Sequence, residues 1–381
     1  MNKTLWLVFV VAFIIGTSYG MHNPILPIFA KNEIGATYSE LGVIGLANFI
    51  PYMFVPLFVG ILLGRFNNGY LLSVGVVLNS AAVFLLSVAN SVPEIMIFRA
   101  MTGIAHAFFW PPSESIISKL SERQDRVKNI GKFTGFFISG FMIGPLIGSF
   151  ILDYYDESFR ILFQITSFIL ASAIIASIWT STRRVTIIQQ KISLINFKEI
   201  LRFRTIIAII LFCNVVFGTI LIIYPAFLND HSFSAVDVEI LFFIFGISRV
   251  VTLVFTGKLA KHTSITIIFA CLSITIGMLL SFTTNDVLLF AVALLSMGFG
   301  FGIFFPLTLE TILSKTAERI RGSIIGAYET IFGIGWVTGP LIAGQLSEHY
   351  GTSFPYLVFF IMGIGITLLS VIKRNALVPK P

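Results

Sequence analysis

The chain has 381 residues, of which 56% are apolar and 11% charged, and a formal net charge of +7. Soluble domains carry about 25% charged residues, so the composition excludes an ordinary soluble protein and points to an all-α integral membrane one. The two cysteines, Cys213 and Cys271, both fall in apolar runs. That placement excludes a disulfide framework and a cysteine metal site and leaves them as small buried hydrophobes.

An apolar run needs about 20 residues to cross a bilayer as a helix. In chain order such runs lie near 4–29, 38–63, 69–90, 94–118, 130–152 and 158–181, then near 204–228, 237–258, 263–283, 286–314, 322–347 and 353–374. The first is too long for the apolar region of a signal peptide and lacks a clear small-residue cleavage site, so it reads as a span. The connections are short except for a basic stretch near 183–203, RRVTIIQQKISLINFKEILRF, expected to lie partly as an amphipathic helix at the membrane surface. This divides the chain into a six-helix bundle over 1–182, a cytoplasmic linker over 183–203 and a second six-helix bundle over 204–381.

Charge checks the topology. With both termini in the cytoplasm, 21 of the 25 Lys and Arg fall on the cytoplasmic side, only Lys31 and Arg160 fall outside, and Arg99 and Arg249 stay within spans. Such a bias fits a multi-pass protein of the cell membrane in that orientation. A basic cytoplasmic surface facing anionic lipid accounts for the net charge and needs no nucleic acid.

The two halves repeat. ESIISKLSER at 114–123 matches ETILSKTAER at 310–319, GPLI at 144–147 recurs at 339–342, and Gly131 and Gly140 pair with Gly326 and Gly335. Span four therefore maps on span ten and span five on span eleven. Parallel repeats related by an axis along the membrane normal are a transporter architecture, with substrate held near the midplane between the repeats.

Four local patterns extend this. Span one ends in Pro24-Ile25-Leu26-Pro27; the loop after span two has Gly60, Leu62, Arg65 and Gly69; span four has Arg99, Thr102 and Gly103; span five has Gly140, Gly144, Pro145, Gly148 and Ser149. At these residues the chain resembles the major facilitator superfamily, its twelve-span drug:proton antiporter branch in particular, over essentially its whole length. The loop departs from the family pattern, with Gly64 where the family has Asp and Asn67 where it has Gly. The resemblance implies twelve helices in two bundles related by pseudo-two-fold symmetry, alternating access, and a link between Arg99 and proton coupling.

Five charged residues lie well inside spans: Arg99, Glu114, Arg249, Glu310 and Glu329. A charge at the bilayer centre costs about 2.5–3.5 kcal/mol on insertion scales, so each needs a reason. A residue present in both halves is read as scaffold or gate, and one present in a single half as serving substrate or coupling. Glu114 and Glu310 are paired by the repeat and sit about one turn before a loop. They are expected to form ion pairs with loop bases, Arg65 on one side and Lys258 or Lys261 on the other, latching the cytoplasmic ends.

Arg99 has Leu295 as its counterpart. Seven-residue steps stay on one helical face, so Arg99, His106 and Ser113 form a stripe with Thr102 and Trp110 beside it, expected to face a central cavity. The alternatives are an arginine snorkelling to the outer surface and a histidine that only bonds a neighbouring helix. Arg249 and Glu329, opposite Tyr52 and Thr134 in the first half, reach nearly equal depth at about 1.5 Å per residue and are expected to pair, either as a proton-sensitive switch or as a fixed salt bridge. His22, before Pro24, is expected to line the outer cavity mouth, or to sit at a helix end frayed by the proline.

Pro111 and Pro112 remove helix hydrogen bonds, and Pro306 follows Gly298, Gly300 and Gly302 in span ten, so spans four and ten are expected to bend near the gate. Gly144-Pro145 and its repeat Gly339-Pro340 are read first as close helix packing. Among 40 phenylalanines most are expected to face lipid or fill interfaces; Phe108, Phe109, Trp110, Phe304, Phe305 and Trp336 are the cavity candidates.

The function expected is proton-coupled efflux of small lipophilic compounds, with substrate, protons and membrane lipid as partners and the chain acting as a monomer. The alternative is a transporter of organic anions or metabolites using Arg99 and Arg249; a non-transporting membrane sensor is the reading of another class. There is no P-loop, metal-ligand spacing or nucleophile motif, so no cofactor, metal or enzyme is expected.

Overall fold

Polar caps set where the apolar runs begin to wind. In the computed structural model, which describes residues 3–63, 65–122, 125–181, 197–317 and 320–379, the described residues form helices and turns with no strands. Gly64, Arg123, Arg183, Arg184, Lys191, Arg319 and Lys380, and most of the 183–203 linker, lie outside the described residues. The chain divides into two units, Met1–Lys191 with Ser232–Phe243, and Ile192–His231 with Ile244–Pro381.

In the first unit, α1 (Lys3–His22) and α2 (Ile25–Asn32) make span one; α3 (Tyr38–Leu62) and α4 (Asn68–Leu86) follow; α5 (Val92–Ala107) and α6 (Trp110–Leu120) make span four; α7 (Arg126–Tyr154) and α8 (Phe159–Ser181) complete it. Thr37 caps α3 in a reciprocal box, its Oγ1 accepting from the Glu40 amide at 3.2 Å while Glu40 Oε2 accepts from the Thr37 amide at 2.8 Å, which satisfies two otherwise orphaned donors. The gap between α5 and α6 is where Pro111 and Pro112, on the first turn of α6, cannot donate to the preceding turn.

The second unit begins with the single turn α9 (Phe197–Ile200). Span seven is α10 (Arg204–Ile222) with α11 (Tyr224–Asp230), and α12 (Ala235–Leu259), α13 (Thr263–Thr283), α14 (Val287–Ser314), α15 (Arg321–Tyr350) and α16 (Phe354–Ile372) follow. The first turns of α12 pack with the first unit and the rest with the second. Ser234 and Asp237 repeat the capping box before α12, with Asp237 Oδ2 accepting from the Ser234 amide at 3.0 Å and Ser234 Oγ from the Asp237 amide at 3.1 Å. Span ten, unlike span four, keeps a single helix. Pro306 lies inside an unbroken α14, since one missing hydrogen bond is absorbed where the adjacent pair in span four is not.

Nine stretches among the described residues are long and apolar enough to span a membrane. The one at Ala235–Thr283 holds two helices, α12 and α13, while span four is split into short pieces and α15 falls outside the set, which brings the spans to twelve. Glycines weld the unit cores. A Cβ at Gly144 would lie 2.4 Å from the Thr17 carbonyl oxygen and one at Gly16 2.1 Å from that of Phe137; in the second unit a Cβ at Gly339 would lie 2.0 Å from the Val215 carbonyl oxygen. Small residues let α1 meet α7, and α10 meet α15, backbone to backbone. Cys213 and Cys271 are buried free thiols in the second unit.

Candidate functional site

Each unit carries a polar cluster walled by aromatic rings. In the first, α5 approaches α3 at Gly103, where a Cβ would lie 2.2 Å from the Asn48 carbonyl oxygen. The closeness lets Asn48 Nδ2 donate to the Arg99 carbonyl at 3.1 Å and to Thr102 Oγ1 at 2.7 Å. Arg99 is 2% exposed; its Nη1 donates to Asn23 Oδ1 at 3.0 Å, and its Nε has no partner among the described residues. It therefore turns inward to the break in span one instead of snorkelling out.

Two turns on from Arg99, His106 accepts from Trp110 Nε1 at Nε2, so in the neutral ring the proton sits on Nδ1. Tyr19, Tyr52, Trp110 and Phe137 surround the imidazole at centroid distances of 5.0, 4.8, 5.9 and 6.1 Å. Tyr19 also donates to the Thr102 carbonyl at 3.4 Å. Arg99, Thr102, His106 and Trp110 of the expected stripe thus stay together across the break at Phe108 and Phe109, while Ser113 is buried beyond it with its Oγ unpartnered among the described residues.

In the second unit the Arg249 guanidinium lies over the Phe217 ring at 5.0 Å. Phe217 in turn packs against Phe301 at 5.0 Å and Trp336 at 5.6 Å, and Trp336 Nε1 donates to Asn214 Oδ1 at 2.9 Å. Phe305, 40% exposed, stacks edge-on to Tyr328 and Phe332, and Tyr328 shares a 2.8 Å hydrogen bond with Thr308.

Several expectations are corrected. The Arg249 guanidinium is held by a ring and not by Glu329, and its Nε is unpartnered among the described residues; Glu329 is exposed. Equal depth along two helices does not bring their side chains onto facing sides. Glu114 and Glu310 are likewise exposed, and among the described residues Arg65, Lys258 and Lys261 make no ion pair with them; Lys258 lies over Phe255 at 5.4 Å. An exposed ion pair gains little, so these side chains have little holding them together. Asn68 Nδ2 instead ties α4 to α6 through Ser115 Oγ at 2.7 Å. His22 lies at no open mouth: it is fully buried, with Nδ1 donating to the Ser18 carbonyl at 2.6 Å and Nε2 unpartnered. Phe109 and Phe304 are buried, Phe109 packing on His106 at 6.0 Å and on Trp110 at 5.2 Å, and Phe108 packs into the space left by Gly75. Gly144 and Pro145 face α1 at Gly20, and Pro340 lies by Gly218 on α10, all in helix packing.

Sequence reasoning missed Asn48, Tyr19, Tyr52, Phe137 and Phe217, ordinary residues whose meaning depends on their neighbours. It also missed Glu239, fully buried with both carboxylate oxygens unpartnered among the described residues. A signal for it existed. The spacing of 197 that maps Arg249 on Tyr52 maps Glu239 on Gly42, so this carboxyl also belongs to one half only.

The chain was compared with known proteins. The family model of the Major Facilitator Superfamily matches residues 8–340 and 265–381. The quinolone resistance protein NorA of Staphylococcus aureus strain COL is 26% identical over 386 residues, covering 98% of each chain. An uncharacterised MFS-type transporter of Methanocaldococcus jannaschii is 24% identical, also over 98% of each. Among solved structures, the nucleoside transporter NupG superposes with a TM-score of 0.79 at 16% identity over all of both chains. A bacterial homologue of the human lysosomal transporter Spinster, inward-facing and unoccupied, does so at 0.77 and 13%, over 98% of this chain and 96% of that one; at these identities both speak to the fold alone. With twelve spans in two halves and a family match running along nearly the whole sequence, the chain belongs to the Major Facilitator Superfamily of transporters.

Proposed function

We propose that the protein exports small lipophilic compounds in exchange for protons, by alternating access, from a cell membrane in which both its termini face the cytoplasm. The observation that carries this reading is the ring of Tyr19, Tyr52, Trp110 and Phe137 around His106. Flat aromatic walls with a few fixed polar groups suit ring-bearing, apolar ligands. The resemblance to a protein named for quinolone resistance over nearly all of both chains supports the same direction. In this reading Arg99, His106, Trp110, Phe305, Trp336 and Arg249 serve substrate, with Phe109 and His22 behind them, and Glu329 carries coupling charge. Pro111, Pro112, Gly144, Pro145, Gly339 and Pro340 shape the moving helices, with Arg65, Glu114 and Glu310 at the gate. Substrate, protons and lipid are the partners of a monomer, and nucleic acid has no part.

A second reading, transport of organic anions, is favoured by one observation: neither Arg99 nor Arg249 pairs with a carboxylate among the described residues. A cation without a counter-ion, buried at Arg99 and half-buried at Arg249, is available to an anionic ligand. Liposomes holding a pH-sensitive dye separate the two. Under an imposed proton gradient, lipophilic cations and organic anions are added in turn to wild type and Glu329→Gln. Proton release triggered by cations and lost in the variant is the expected result. Release triggered by anions alone would replace the first reading with the second.

A further inference from the structure

The small-residue ridge on α7 ends in an asymmetry. Gly140 and Gly144 press on α1, with a Cβ at either coming within 2.4 Å of a carbonyl oxygen there. Their repeats Gly335 and Gly339 press on α10, where a Cβ would lie 2.4 Å from the Asn214 Cβ and 2.0 Å from the Val215 carbonyl oxygen. The third step differs. The second half has Ala343, buried in its own packing, whereas the first half has Gly148, and the space this glycine leaves is filled by a carboxyl group. A methyl at Gly148 would lie 2.6 Å from Glu239 Oε1 and 3.5 Å from the Met21 carbonyl oxygen.

Glu239 reaches this notch from the first turns of α12, the part that belongs to the first unit. A second contact anchors the same turns: Glu157 Oε1, in the turn between α7 and α8, accepts from the Val236 amide at 3.4 Å. Both Glu239 oxygens are shut off and without a hydrogen-bond partner among the described residues. The acidic and histidine side chains on the adjoining stretches of α1, α7, the following turn and α12 are His22, Asp153, Asp156, Glu157 and Asp237, and none bonds Glu239. The nearby cations of the unit are engaged elsewhere, Arg160 with Glu33 at 2.8 Å and Lys31 over the Tyr38 ring. An ionised carboxylate buried with neither donor nor cation is far costlier than a neutral acid, so such a group takes up a proton.

We propose that Glu239 is a proton-binding site. Its carboxyl is neutral while it sits in the Gly148 notch, and it gives its proton to water, becoming a carboxylate, when the first turns of α12 lift from the α7 ridge. The proton-binding half of this claim stands on packing alone; its use in transport rests on the export reading above.

The test is infrared difference spectroscopy of the full-length protein in lipid nanodiscs, titrated with acid and base. Wild type is expected to show the C=O stretch of a protonated carboxyl at neutral pH. The band should vanish in Glu239→Gln and persist in Glu329→Gln. Gln matches the neutral acid in shape, so Glu239→Gln should fold with an unchanged thermal midpoint. Gly148→Ala fills the notch and should move the band's titration toward lower pH by expelling the carboxyl toward water. A wild-type spectrum identical to that of Glu239→Gln overturns the proposal, as does a Glu239→Gln protein that cannot fold, because that would mean the charge is needed. If the band behaves as expected while liposomes move no compound, the proton site stands and the export reading falls. If the band is absent while export runs, the reverse holds.

Discussion

Replacing Gly339 with alanine tests the backbone contact between α10 and α15. The new Cβ would lie 2.0 Å from the Val215 carbonyl oxygen, 2.8 Å from its carbonyl carbon and 3.0 Å from its Cα. Non-bonded carbons rest at about 3.5–4.0 Å, so the helices must part by roughly 1.5 Å at this point. A gap of about 0.5–1 Å already forfeits a quarter to a half of the attraction between facing atoms, and overpacking of this kind costs about 1–3 kcal/mol. Alanine returns about 0.5–1 kcal/mol through its better helix propensity. The net loss is about 1–2 kcal/mol, or roughly 2–8 °C in the unfolding midpoint of a unit this size. Cys213 lies on α10 beside the contact and is buried with a free thiol, so a thiol-reactive fluorophore reports the opening directly. Gly365→Ala is the control: nothing lies within 4 Å of its Cβ, and it should be neutral or slightly stabilising. If Gly339→Ala proves as stable as Gly365→Ala, α10 and α15 are not in backbone contact and the packing account of the GPLI repeat is wrong.

Other outcomes follow from the clusters. Glu114→Gln and Glu310→Gln should each change stability by less than about 0.5 kcal/mol in thermal unfolding, as substitutions of exposed, unpaired groups do; a larger loss in either would restore the ion-pair latch. Phe217→Leu takes the ring from under Arg249, and a double-mutant cycle with Arg249→Met should return a coupling of about 1–2 kcal/mol for the cation–π contact; strict additivity would show that Arg249 is held by something else. Asn48→Leu and Thr102→Val break the same hydrogen bond from opposite ends. A double-mutant cycle should return a coupling of about 0.5–1.5 kcal/mol, and strict additivity would deny the bond. Nitrogen NMR of labelled histidine should find His106 Nε2 as the unprotonated, hydrogen-bonded nitrogen, and Trp110→Phe should abolish that signature without unfolding the protein.

Much of the architecture is legible because it is written as repetition. The glycine–proline pattern of span five and its copy in span eleven need only be set side by side to suggest two welded pairs, and the close approach of a carbonyl oxygen to Gly144 and to Gly339 is what such a pattern demands. The break at Pro111 and Pro112 is legible too, since proline acts on its own helix. What escapes is whatever depends on the direction of a side chain. Arg99 finds Asn23, 76 residues away, and Arg249 finds the Phe217 ring; depth and charge can name the arginines but not these partners. Glu114 and Arg65 look like a pair in one dimension and do not meet in three. Glu239 was passed over because it stands near the start of its helix, where a carboxylate is ordinary. Only the Gly148 notch makes it unusual.

The glycine contacts also bear on mechanics. Where a carbonyl of α1 rests against a Cα of α7, with the same arrangement between α10 and α15, neither helix can slide along its partner without steric collision, because close-packed interfaces resist continuous deformation. Each pair is in effect a rigid strut. Bending within a span is then easiest at the interruptions, at Asn23–Pro24, at Phe108–Phe109 and at Ile223, where the backbone has already given up its regular bonding. Among the described residues the first unit has two such joints and the second has one, Pro306 lying within the continuous α14. Two halves built on one pattern have thus become unequal in their interruptions, the first broken at two of its spans and the second at one.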